Sequence, residues 1–175
     1  TATIPCPMPA PMRIVYPVLW ARPGRQACQA QTLATVAALA HRGHELTILM
    51  PQGAQDPAVS AADLRAWFDV EGDFDVIQRP SDWEGERLHR TLLWLRQAWR
   101  APEMRGADIL YSRIPAMLGI GQLAPLPFVT DHYRPWPDEL PAIRWAFRRT
   151  ARDHDCLGLI IHSHYAAGAY RRAGV

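Results

Sequence analysis

Lysine is absent from this chain: all 19 of its basic residues are arginine, set against 17 acidic ones for a net charge of +2. Without lysine there is no GxxxxGK[ST] phosphate loop. The arginines cluster only locally, at Arg22/Arg25, at Arg144/Arg148/Arg149/Arg152 and at Arg171/Arg172. That scatter forms no basic stripe, so nucleic acid is not an expected partner. Cysteine is scarce. Cys6, Cys28 and Cys156 are odd in number and far apart, which excludes a disulfide framework and a CxxC-type zinc site. A reducing, cytoplasmic setting is expected. No apolar run approaches the roughly 20 residues that cross a bilayer. Thr1 to Pro11 lacks the charged start and apolar middle of a signal peptide. Its prolines at 5, 7, 9 and 11 predict an extended lead-in over residues 1–12. No block of low complexity or like charge occurs, which excludes wholesale disorder.

What remains is ordinary globular material, 49% apolar and 21% charged, enough for one soluble domain over residues 13–175. Short β-branched runs alternate with helical patterns. Arg13–Val18 reads as a strand, Ala27–Arg42 as a helix stopped by Gly43, and Glu45–Met50 as a second strand, the length of one βαβ unit. Further strands are predicted at Phe74–Gln78, Asp108–Tyr111, Phe128–Thr130 and Leu157–Ile161. Helical stripes are predicted at Leu88/Leu92/Leu95/Trp99 and Leu140/Ile143/Phe147/Ala151, a short helix at Pro115–Leu123, and a last helix at Tyr165–Arg172. Ala62–Phe68 fits either a short helix or a strand. Six strands alternating with helices predict an α/β fold with a doubly wound parallel, Rossmann-like sheet.

Ligands of such sheets bind beyond the carboxyl ends of the strands, so the residues just after each strand carry the candidate chemistry. The first loop holds Arg22, Gly24 and Arg25. With one glycine it is no GxGxxG fingerprint, which counts against a nicotinamide oxidoreductase, yet its arginines can meet an anion near a helix N-terminus. Arg113 suits a phosphate or carboxylate, or a structural ion pair. Asp131-His132 suits a base and its orienting carboxylate, or a strand-end cap. His162 and His164 have the spacing of one strand face, and Ser163 that of an N-cap bonded near Ala166. Asp73/Asp75 and Asp153/Asp155 form Asp-x-Asp pairs, read here as structural, and no metal is expected. Trp145 among Arg144, Arg148, Arg149 and Arg152 suggests a helix covering the sheet, or contact with an anionic membrane.

Four segments in order carry a resemblance. Leu39-Ala40-His41-Arg42-Gly43-His44-Glu45-Leu46-Thr47-Ile48 looks like the opening of a GT-B glycosyltransferase. Asp108-Ile109-Leu110-Tyr111-Ser112-Arg113, Pro127-Phe128-Val129-Thr130-Asp131-His132 and Gly158–Val175 resemble later segments of the N-terminal domain in retaining enzymes of glycosyltransferase family four. The resemblance implies an acceptor-side domain that works with a C-terminal donor-binding domain absent from this chain. It implies transfer of a glycosyl unit from a nucleotide sugar to an acceptor, with no other cofactor and no essential metal. His132 would be catalytic and line the cleft. Arg22, Gly24, Arg25, Arg113, Asp131 and Ser163 would bind the acceptor or the donor phosphates. The first loop departs from the family, which usually has paired glycines where this chain has Arg22-Pro23-Gly24-Arg25-Gln26. A non-catalytic binding or regulatory domain of the same fold is the alternative.

Overall fold

The computed structural model describes residues 10–81, 87–115 and 126–175. The expected lead-in up to residue 9 and the expected short helix beyond Pro115 lie outside them.

Six strands, β1 (Arg13–Pro17), β2 (Glu45–Gln52), β3 (Phe74–Pro80), β4 (Ile109–Ser112), β5 (Phe128–His132) and β6 (Cys156–Ile161), form one sheet in the order β3-β2-β1-β4-β5-β6. Every pairing is parallel. The fold is therefore α/β, a doubly wound Rossmann-like sheet whose strand order reverses between β1 and β4.

Helix α1 (Ala27–His41) turns Leu33 and Val36 onto the sheet, where they join a core with Ile14, Tyr16, Leu46, Ile48 and Tyr111. It ends at Gly43, whose φ of 84° is a left-handed conformation that glycine takes without Cβ strain. Helix α2 (Ala61–Phe68) settles the segment the sequence left open. The Ser60 hydroxyl accepts from the Asp63 amide while the Asp63 carboxylate accepts from the Ser60 amide, a capping box.

The opposite face carries α3 (Arg87–Arg100) and α4 (Pro102–Gly106) over Val15, Leu49, Leu110 and Phe128. The stripe expected on α3 is met at Leu95, which is buried, and at Trp99, which packs on this core, but not at Leu92. Leu92 is 53% exposed, and the buried face is Trp94, Leu95 and Ala98.

The expected stripe from Leu140 to Ala151 is also broken. Pro141 cannot continue a helix, and the chain forms α5 (Trp136–Glu139), a 3-10 turn (Pro141–Ile143) and α6 (Arg144–Ala151). Leu140 and Ala151 are exposed, while Phe147 and Thr150 are buried. Helix α7 (His164–Arg172) follows β6, with Ser163 as N-cap accepting from the Ala166 amide at 3.1 Å. No described helix is long and apolar enough to cross a membrane.

Candidate functional site

Strand β5 runs two residues further than its apolar pattern predicts, and this decides the site. Asp131 and His132 are the last residues of the strand rather than the first of a loop. Successive side chains of a strand point to opposite faces. Asp131 therefore turns towards the α1 side and His132 towards α6 and α7.

On the α1 side five polar side chains converge at the carboxyl edge. The Asp131 carboxylate is buried, with 2% of its side chain exposed. Arg113, just past β4 and 8% exposed at its side chain, places Nε 3.5 Å from Asp131 Oδ2. At that distance the pair is ionic but makes no aligned hydrogen bond, and Arg113 Nε has no hydrogen-bond partner. The remaining nitrogens of Arg113 donate to Gln31 Oε1 at 2.8 Å and to the Cys28 carbonyl at 3.3 Å, both on α1. Its guanidinium also lies over the Tyr133 ring at 5.4 Å. The Tyr111 hydroxyl donates to Asp131 Oδ2 at 3.4 Å. Burial first, then the nearby Asp131 charge, holds the Tyr111 hydroxyl well above its ordinary range, so it stays a donor.

His162 completes the cluster. It follows β6 directly, and its Nε2 bonds Asp131 Oδ1. Gln31 Nε2 lies 2.7 Å from the other ring nitrogen, Nδ1. Arginine and an amide nitrogen only donate, which assigns the protons. Arg113 donates to Gln31 Oε1, Gln31 Nε2 donates to His162 Nδ1, and His162 Nε2–H donates to Asp131. In that tautomer the buried Asp131 carboxylate holds the imidazole through Nε2, and Nδ1 faces the Gln31 amide. That is the arrangement by which a carboxylate orients a histidine for proton transfer.

His132 does not share this surface. It is 0% exposed, so it lines no open cleft in this chain, contrary to the expectation. Its Nδ1 lies 2.6 Å from the Tyr170 hydroxyl, and its ring meets Phe147 edge-on and stacks on Tyr170. Burial, with a smaller contribution from the Arg113 charge, lowers its pKa to about 4. It is a neutral core imidazole. The cause is the extra length of β5, which carries residue 132 onto the covered face.

The loop after β1 lies on the same carboxyl edge as the Arg113 cluster, but its groups are largely engaged. Arg22 Nε donates to Asp56 Oδ1 at 2.5 Å, so an anion would compete with a carboxylate already in place. The Gly24 amide donates to Gln29 Oε1 at 2.6 Å, and Gln29 is buried. Gly24 has no left-handed backbone, and a Cβ there would meet only Gln29 at 3.5 Å. Arg25 is exposed and makes no ion pair among the described residues. Ser163 caps α7. His164 begins that helix, so it shares no strand face with His162. His44, in the Gly-His-Glu segment, is buried and accepts the Met12 amide on Nδ1 at 3.3 Å. A hollow of about 530 Å³ beside Arg13, His44, Glu45 and Asp73 opens at the amino ends of the strands, the edge away from this chemistry.

The sequence reading missed Gln31 and the pairing of His162. Gln31 sits inside a helix, where nothing local marks it. His162 was visible as a strand-end residue, but its partner Asp131 lies 31 positions away. The chain matches no known family model and no curated protein.

Proposed function

We propose that this chain is the acceptor-side domain of a glycosyltransferase that moves a glycosyl unit from a nucleotide sugar to a hydroxyl acceptor. The observation that carries the reading is the Gln31–His162–Asp131–Arg113 cluster, set at the carboxyl edge of a doubly wound sheet, where such folds bind ligands. The resemblance of four ordered segments to family-four enzymes supports the same reading and supplies its stereochemical course, retention.

Within it, His162 rather than His132 meets the acceptor. A sugar hydroxyl that displaces the Gln31 amide donates to His162 Nδ1, while Asp131 holds the ring and stabilises positive charge that develops on it. Arg113 is a positioning residue. Its charge is spent on Asp131, and it fixes which end of the Gln31 amide faces the histidine. Arg25, unpaired, is the group left to meet a donor phosphate. Catalysis also requires the donor to be enclosed against water, and that task falls to the partner domain the resemblance implies.

Sequencing the gene beyond Val175 tests the first part: a second Rossmann-like domain supports the proposal and a stop codon opposes it. A transfer assay with a panel of nucleotide sugars, run on the full gene product, tests the second. Failure of every donor would overturn the proposal. His162→Ala with unimpaired transfer would remove His162 from it. The product's anomeric configuration, read by NMR, tests retention.

The alternative, a binding or regulatory domain without catalysis, is favoured by one observation: Arg113 and Asp131 neutralise each other in a buried pair. Donor binding without turnover in the same assays would select it.

A further inference from the structure

Helix α6 presents a second surface, away from the carboxyl-edge cluster. Phe147 and Thr150 face the protein and are fully buried. Trp145, Arg149 and Arg152 fall at i, i+4 and i+7, which places them on one outward stripe, with Arg148 beside it. Trp145 is 58% exposed, although an indole of that size is normally covered. Arg148, Arg149 and Arg152 have no carboxylate partner among the described residues. By contrast Arg144 and Arg172 both reach Asp138, and Arg134 reaches Glu139.

Trp145 and the three unpaired arginines line one shallow hollow of about 600 Å³ with Asp153, His154 and Asp155. The two aspartates make no ion pair with these arginines among the described residues, so the arginines outnumber them in the hollow. The aspartates flank His154 at 3.6 and 3.2 Å, and Asp153 Oδ1 also accepts the Asp155 amide at 3.0 Å.

We propose that this face of α6 docks on the surface of an anionic phospholipid membrane. Charge complementarity selects the occupant. Three guanidinium groups with no carboxylate partner among the described residues match lipid phosphates, and an exposed indole among them is the side chain that settles at the headgroup boundary. A soluble polyanion would use the arginines but leave Trp145 without a role. The contact is peripheral and reversible, because one aromatic and three cations insert little apolar surface.

The test is co-sedimentation of the 175-residue chain with vesicles of equal parts phosphatidylcholine and phosphatidylglycerol, alongside pure phosphatidylcholine vesicles. Binding to the anionic vesicles alone is expected, weakening as salt rises. Arg148→Glu/Arg152→Glu should lower the partition coefficient by about tenfold or more. Trp145→Ala should lower it severalfold. A thermal melt of each variant confirms that it is folded, and Arg171→Glu on α7 serves as a charge control that retains binding. Absence of wild-type binding to anionic vesicles at low salt overturns the proposal. So does equal binding to neutral vesicles, or partitioning unchanged in both the arginine and tryptophan variants. Binding to heparin that survives Trp145→Ala, without vesicle binding, would assign the patch to a soluble polyanion instead.

Discussion

Lowering the pH will destabilise this fold through His132. The imidazole titrates near 6.5 when solvated and near 4 in its buried site. The folded value lies below the unfolded one, so the unfolded chain takes up the proton first. The stabilising contribution is therefore complete above the unfolded value and lost as pH falls through the window towards the folded one. At about 1.4 kcal/mol per pKa unit the ceiling is about 3 kcal/mol, and about 2 kcal/mol of it disappears between about pH 7 and pH 5. Urea unfolding followed by far-ultraviolet circular dichroism, repeated across that range, measures the slope. The informative quantity is the difference between wild type and His132→Gln, which isolates this residue. Glutamine keeps a polar partner for the Tyr170 hydroxyl but does not titrate. The difference in stability should narrow by about 2 kcal/mol on acidification. A flat difference would refute the reasoning, because it would mean His132 is solvated in the folded protein, as a cleft residue would be.

Arg113→Ala should cost about 3 kcal/mol by denaturant unfolding, since it strands a buried Asp131 charge; Arg113→Met/Asp131→Leu should recover most of that loss, and a single-variant cost below about 1 kcal/mol would show that the pair is solvated. The low end of the usual range is expected because the ion pair, at 3.5 Å, lacks an aligned hydrogen bond. Gly43→Ala should cost about 1 kcal/mol through its positive φ, while Gly24→Ala should be within about 0.5 kcal/mol of wild type; equal losses at the two sites would contradict the backbone geometry. Ser60→Ala should remove about 1 kcal/mol by breaking the capping box of α2, and hydrogen exchange should rise first in the amides at 61–63.

Much of the architecture was local and so readable from sequence. The β1–α1–β2 unit, the stop at Gly43 and the Ser163 cap depend on periodicity and on residues within a few positions of each other. The α/β class followed from the alternation of elements. Where the reading failed, the deciding interaction was distant. Leu92 has the spacing of a core residue, yet Trp94 and Ala98 are buried beside Leu95 while Leu92 is exposed, a choice made by the sheet and not by the helix's own periodicity. Leu140 is the exception, since the proline that divides it from Phe147 is the very next residue, Pro141.

The candidate site divides in the same way. The sequence by itself determined that Arg113, Asp131, His132 and His162 stand at strand ends, because those ends are marked by where apolar runs stop. It did not determine which of them meet. Parallel pairing of β5 with β6 sets Asp131 opposite Ile160 and His132 opposite Ile161, and that register brings His162 to the carboxylate. Two more residues of strand then send Asp131 and His132 to opposite faces of the sheet. Strand length and register are set by the neighbouring strands and covering helices, so only the tertiary structure could choose the histidine that reaches solvent.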